Sequence, residues 1–170
     1  MTTSVDYALQ SLMKLIKNAI KSKILRRSYV IILKGPHNSG KSHILKELSS
    51  SFKDKMVLLN FNLLYATHSK ERTETGKKRD HPLKLIRDSL KKYSAKYEII
   101  ALDHMERYYN SIEKIEPLIS TLIQNSKQLY NNDHHLIIIL TFPISDSLED
   151  LNQSFSDLGD QRNAIDIFCL

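Results

Sequence analysis

Gly35-Pro36-His37-Asn38-Ser39-Gly40-Lys41-Ser42 decides how the rest of the chain is read. It fits Gly-x4-Gly-Lys-Ser, the pattern of a phosphate-binding loop. Its surroundings fit as well. Tyr29-Val30-Ile31-Ile32-Leu33 before it is an apolar run of strand length, and His43 to Ser50 after it has helical character. A β- or γ-phosphate needs several N–H donors converging on one point. A loop that curls back on itself ahead of a helix supplies them, and the helix N-terminus adds its positive end. Gly35 and Gly40 allow close approach and backbone angles that a Cβ forbids. Lys41 is placed to reach the β/γ-phosphates, and the Ser42 hydroxyl to bind magnesium. The intervening Pro36, His37, Asn38 and Ser39 complete the set of candidate nucleotide contacts. Average residue frequencies give roughly a 1% chance of the four fixed residues arising somewhere in a chain this long. That outweighs reading the stretch as a plain Gly-rich turn.

The whole chain is compatible with one such domain. Its 170 residues predict a single nucleotide-binding domain over 1–170. Hydrophobic content of 41% and charged content of 26% exclude a disordered chain. Cys169 is the only cysteine, so no intrachain disulfide or cysteine-based metal site forms, and a reducing compartment is expected. No stretch is long and apolar enough for a membrane span, and the first residues lack a signal-peptide run. The net charge of +6 and pI of 9.3 permit a polyanionic partner without requiring one. Charge is also uneven. Residues 1–34 carry seven basic side chains against Asp6, and residues 141–170 carry six acids against Arg162. Each cluster reads first as solvated surface.

Taken in order, residues 4–25 space Val5, Leu9, Leu12, Ile16 and Ile20 along one helical face, with Lys14, Lys17 and Lys21 opposite. This amphipathic helix is expected to pack on the sheet. Met56 to Phe61 reads as a second buried strand. Residues 66–81 are polar and basic, and read as a mobile loop. They are the best sequence candidate for a nucleic-acid contact, though they lack interleaved aromatics. Pro82 suits the first turn of a helix capped by Asp80 or His81.

Tyr97-Glu98-Ile99-Ile100-Ala101-Leu102-Asp103 is the second informative stretch. An apolar strand ending in Asp supplies the other half of a phosphate-loop site, its carboxylate holding magnesium through water or Ser42. His104 follows where many ATPases place a glutamate, which predicts nucleotide binding with slow turnover. His104 is a candidate base, and Glu106 points elsewhere if a helix has begun there. Met105 to Ile115 predict a helix that Pro117 breaks, with a second helix from Pro117 onward. His134-His135 suggest no metal site, because neighbours on a strand face opposite ways. Leu136 to Thr141 is another buried strand, with Thr141 or Ser145 able to sense a γ-phosphate at its end. Residues 146–158 look helical, and 164–168 look like a last short strand.

Apolar strands alternating with helices, without hairpins, predict an α/β fold: a three-layer α/β/α sandwich around a parallel central sheet. The order of signals resembles the AAA+ ATPases. Gly35–Ser42 matches that family's first nucleotide motif and Leu102-Asp103 part of its second. The resemblance implies a first sensor at Thr141 and an arginine finger at Arg162. Gly35-Pro36, Leu59-Asn60 and the segment Met105–Tyr130 make the chain most similar to origin recognition complex subunits, particularly the fourth. That implies ATP and Mg2+ as cofactors, other AAA+ subunits and DNA as partners, no membrane, and a nuclear location in a eukaryote or a cytoplasmic one otherwise. His104 departs from the pattern, and the sequence ends where the family's lid and winged helix are expected. Alternatives are a RecA-like repair accessory, a small P-loop kinase, or a scaffold with a relic loop. His37-Asn38 lack the mid-loop glycine of kinases, no guanine signature occurs, and the intact Lys41, Ser42 and Asp103 oppose a relic.

Overall fold

The computed structural model describes residues 4–21, 29–78, 80–129, 136–143 and 165–170. The chain runs α1 (Ser4–Lys21), β1 (Tyr29–Lys34), α2 (Lys41–Ser51), β2 (Met56–Asn60), α3 (Phe61–Glu74), α4 (Pro82–Ser94), β3 (Ile99–Asp103), α5 (Ile112–Leu129), β4 (Ile137–Phe142) and β5 (Ile165–Cys169). All five strands are parallel, in the order β2-β3-β4-β1-β5. The parallel α/β sandwich expected from the sequence is present.

The central strands β1, β3 and β4 are apolar along most of their length because both sheet faces are covered. Alternate residues feed two separate cores. Val30, Ile32, Ile100, Leu102, Ile138 and Leu140 face one, and Ile31, Leu33, Ile99, Ala101, Ile137 and Ile139 face the other. The second face is covered by α1 through Leu12 and Ile16, and by α2 through Ile44, Leu45 and Leu48. The first is covered by α3, α4 and α5. Connection handedness explains the division. From β1 the chain crosses three places to β2, then returns through β3 and β4 in the opposite direction. Right-handed crossovers put oppositely directed connections on opposite faces. The loop after β1 and the ends of β3 and β4 therefore share the C-terminal edge of the sheet, where such folds bind ligands.

Three sequence expectations change here. The first part of the expected 66–81 loop, residues 66–74, is helical, because α3 runs to Glu74. Asn60 caps it, its side chain accepting from the Leu63 N–H. Phe61 and Tyr65 at its start pack with Tyr108 and Tyr109. The return segment is tied down by Asp80, which meets His68 at 2.9 Å, Lys84 at 3.1 Å and Arg72 at 3.2 Å.

Pro117 does not break a helix either. It lies inside α5. It deletes one backbone hydrogen bond at about 3 kcal/mol. Ile115, Leu118, Ile119 and Leu122 are buried on both sides of it. At about 1.5–3 kcal/mol each, their burial outweighs the loss. Met105 to Tyr109 form a turn ahead of α5 rather than its first part. The helix expected over 146–158, the histidines 134 and 135, and Ser145 lie outside the described residues, as does the end of the 4–25 helix beyond Lys21. No helix among the described residues is long and apolar enough to cross a membrane.

Candidate functional site

The loop after β1 folds back through two left-handed residues, Asn38 at φ 62° and Gly40 at φ 94°. Asn tolerates that region better than most side chains, and Gly has no barrier to it. Gly35 is required by space. A Cβ there would sit 2.6 Å from Ser39 Oγ and 2.9 Å from the Leu170 carbonyl oxygen. Gly40 is the N-cap of α2 and offers no side-chain cap to that helix. The first N–H groups of α2 are thus left for an anion.

Lys41 lies in this concavity and is buried. Its ammonium donates to the Gly35 carbonyl at 2.7 Å, the Pro36 carbonyl at 2.6 Å and Ser39 Oγ at 3.3 Å. Burial lowers its pKa, opposed by the negative charges of Glu106 and Asp103. Two neutral carbonyls are weaker acceptors for an ammonium than a phosphate. The side chain therefore has a better partner available when a polyphosphate enters.

Asp103 ends β3 and is buried. Thr141, on the adjacent β4, donates its hydroxyl to Asp103 Oδ1 at 2.9 Å. The His104 backbone N–H donates to the same oxygen at 2.9 Å. β4 lies between β3 and β1, with Thr141 in register with Leu33. Thr141 thus stands beside the carboxylate, on the strand next to the one that leads into the phosphate loop. His104 adopts φ 58°, a strained value for a residue with a Cβ. Its imidazole bridges Asp103 Oδ2 at 3.5 Å and Glu106 Oε1 at 3.7 Å.

Glu106 is the residue that sequence reasoning missed. It was expected to point away from the site. Instead, the turn that follows His104 brings its carboxylate to 3.7 Å from the His104 imidazole, and its negative charge, like that of Asp103, raises the Lys41 pKa against burial. The sequence signal was weak, because a glutamate three residues after a strand end has no fixed direction until the turn is known. Pro36, His37, Asn38, Ser39 and Ser42 lie in or directly after the loop, as the motif requires. Arg162 lies outside the described residues.

The donor set suits a polyphosphate with magnesium. No cluster of three His, Cys, Asp or Glu among the described residues makes a protein-only metal site. Ser42 and Asp103 instead offer hydroxyl and carboxylate oxygens, the hard donors magnesium shares with phosphates and water. The missing Cβ atoms at Gly35 and Gly40 let the loop pack closely on Ser39, Leu170 and Val5, which holds its curled shape.

No protein family matches the chain's sequence, and no curated protein does. Solved structures do. The crystal structure of a DNA replication initiation factor matches with a TM-score of 0.50 and 15% identity, over 95% of this chain and 45% of that one. The structure of C. elegans PCH-2 matches with a TM-score of 0.50 and 17% identity, over 97% of this chain and 42% of that one. This chain spans less than half the length of either. At these identities the likeness shows the fold alone, a parallel α/β sandwich carrying the loop after its first strand.

Proposed function

We propose that this protein binds ATP and magnesium as an AAA+-type subunit of a DNA-associated assembly, with ATP serving mainly to hold the assembly together. The observation that carries the reading is the Thr141–Asp103 pair facing the Lys41 loop across one sheet edge. Lys41 would exchange the Gly35 and Pro36 carbonyls for β/γ-phosphate oxygens. Ser42 and Asp103 would hold the magnesium ion, which would supply positive charge to offset that of the phosphates. Thr141 would both orient Asp103 and meet the γ-phosphate, and Arg162 would reach a neighbouring subunit's nucleotide.

Turnover would be slow. His104 stands where a water-activating acid is expected, and Glu106, 3.7 Å from its imidazole, would be the carboxylate to take that part. The finer setting is a replication-origin assembly, with other AAA+ subunits and DNA as partners. It is supported by the origin-complex resemblance of the Gly35-Pro36 and Leu59-Asn60 stretches and by the fold shared with a replication initiation factor. Phosphate release measured with and without DNA tests the reading. Slow release that Lys41→Ala abolishes supports it. Fast transfer of phosphate to a small acceptor, indifferent to DNA, refutes it in favour of a kinase.

A further inference from the structure

Residues 66–81, the sequence candidate for a nucleic-acid contact, are not where the fold sets positive charge beside aromatic rings. That happens at the opposite edge of the sheet. Val5, near the start of α1, lies 3.0 Å from the position a Cβ on Gly40 would take, so α1 begins beside the phosphate loop. α2 begins there too. Both helices run toward the edge where β2 and β3 begin, and a cleft of about 560 Å3 opens between their far ends. Lys17 and Lys21 of α1 and Lys53 and Lys55 of the turn after α2 line it, with Ile20 and Phe52 beside them. All four lysines are exposed. Asp54 is the one acid in the lining.

The surface continues across the sheet edge. The Glu98 N–H donates to the Lys55 carbonyl at 3.0 Å, and the two side chains pair at 3.5 Å. Next to Glu98, Lys96 lies 5.1 Å from the Tyr97 ring centre, and Lys92 lies 5.2 Å from that of Tyr93. The two rings are 6.4 Å apart and half-buried.

We infer that this basal edge binds single-stranded nucleic acid, its lysines meeting the phosphodiester backbone and Phe52, Tyr97 and Tyr93 receiving unstacked bases. A basic groove with interleaved aromatics is the arrangement that tracks single strands without reading sequence. The volume lies within the roughly 300–1,000 Å3 of sites that enclose small organic groups, which suits a splayed base better than a rigid duplex. An anionic membrane is a poorer fit. The exposed large apolar side chains among the described residues are Tyr7 and Leu63, and neither lies here to insert into lipid. The inference supplies the DNA contact of the function proposed above and rests on that part of it. It is independent of the nucleotide site.

The test is fluorescence anisotropy of the full chain with a labelled oligothymidylate, a duplex of equal length, phosphatidylserine vesicles and polyglutamate. The single strand is expected to bind tightest. Contacts to four phosphates give a slope of log K against log salt of about −3. Lys17→Glu, Lys21→Glu and Lys53→Glu together should weaken binding more than tenfold and flatten that slope. Tyr97→Leu should weaken it about tenfold with the slope unchanged. Lys41→Ala should leave strand binding intact, and the triple charge reversal should leave ATP binding intact. These two controls separate failure of this inference from failure of the nucleotide reading. Equal binding of duplex, vesicles or polyglutamate overturns the inference, as does a charge reversal that leaves strand affinity unchanged.

Discussion

Replacing Thr141 by Val removes one hydroxyl while nearly preserving volume. Thr141 is 1% exposed, and its Oγ1 donates to Asp103 Oδ1 at 2.9 Å. Asp103 is itself 7% exposed, so water is a poor substitute donor. After the change, Oδ1 keeps the His104 backbone N–H at 2.9 Å, and Oδ2 keeps only the imidazole nitrogen at 3.5 Å. A hydrogen bond to a charged acceptor contributes about 1.5–3 kcal/mol. The surviving backbone donor sets the expectation near the lower end, about 1.5–2 kcal/mol. For a domain of this size that corresponds to a fall in Tm of about 3–8 °C. Urea unfolding should show a lower midpoint with an unchanged slope. Thr141→Ser keeps the donor and should lose less. In a double-mutant cycle with Asp103→Ala, the cost of Thr141→Val should largely vanish. If Thr141→Val unfolds at the wild-type midpoint, or costs the same with and without Asp103, the pair does not hold the carboxylate and the site's geometry is misassigned.

Other outcomes follow from the same physics. Glu106→Gln should leave ATP binding within about twofold and slow phosphate release by at least tenfold, consistent with the usual size of a general-base effect; single-turnover kinetics checks it. Tyr109→Phe should be neutral or stabilising by about 1 kcal/mol, because burial pushes the Tyr109 hydroxyl up to about 12 and that buried oxygen has no hydrogen-bond partner among the described residues; chemical denaturation reads the change. Hydrogen bonds from His68 and Lys84, with the Arg72 charge, hold the Asp80 carboxyl below its ordinary value. Its stabilisation is therefore present above the unfolded-state value of about 4 and lost as pH falls through the lowered folded value. Amide exchange near the end of α3 should accelerate in acid, and Asp80→Asn should show the faster exchange already at neutral pH.

The nucleotide edge was legible because its signals are contiguous in sequence. The loop is one eight-residue motif, and Val30 to Leu33, Ile99 to Leu102 and Ile137 to Leu140 are apolar without interruption because both faces of a parallel sheet are covered. Helix α3 was not legible. Only Phe61 and Ser69 are buried along it, so it carries almost no apolar periodicity. A cap, a cluster of rings and the Asp80 clamp hold it instead. Pro117 misled for the converse reason. A local preference against helix was overridden by an apolar stripe that the sheet buries. Glu106 and the basal lysines share a third difficulty. Their positions depend on a left-handed turn at His104 and on two helices ending side by side, and neither is encoded in any single stretch.

The central claim is that a nucleotide's phosphates rest against Lys41 between the β1 loop and Asp103. Calorimetric titration with ATP, in magnesium and in a chelator, tests it most directly. Saturable binding is expected in magnesium, weakened by the chelator and by Asp103→Ala, and lost in Lys41→Ala while the thermal unfolding of that variant stays cooperative. No heat of binding at millimolar ATP with magnesium, or identical titrations for the wild type and Lys41→Ala, would contradict the account.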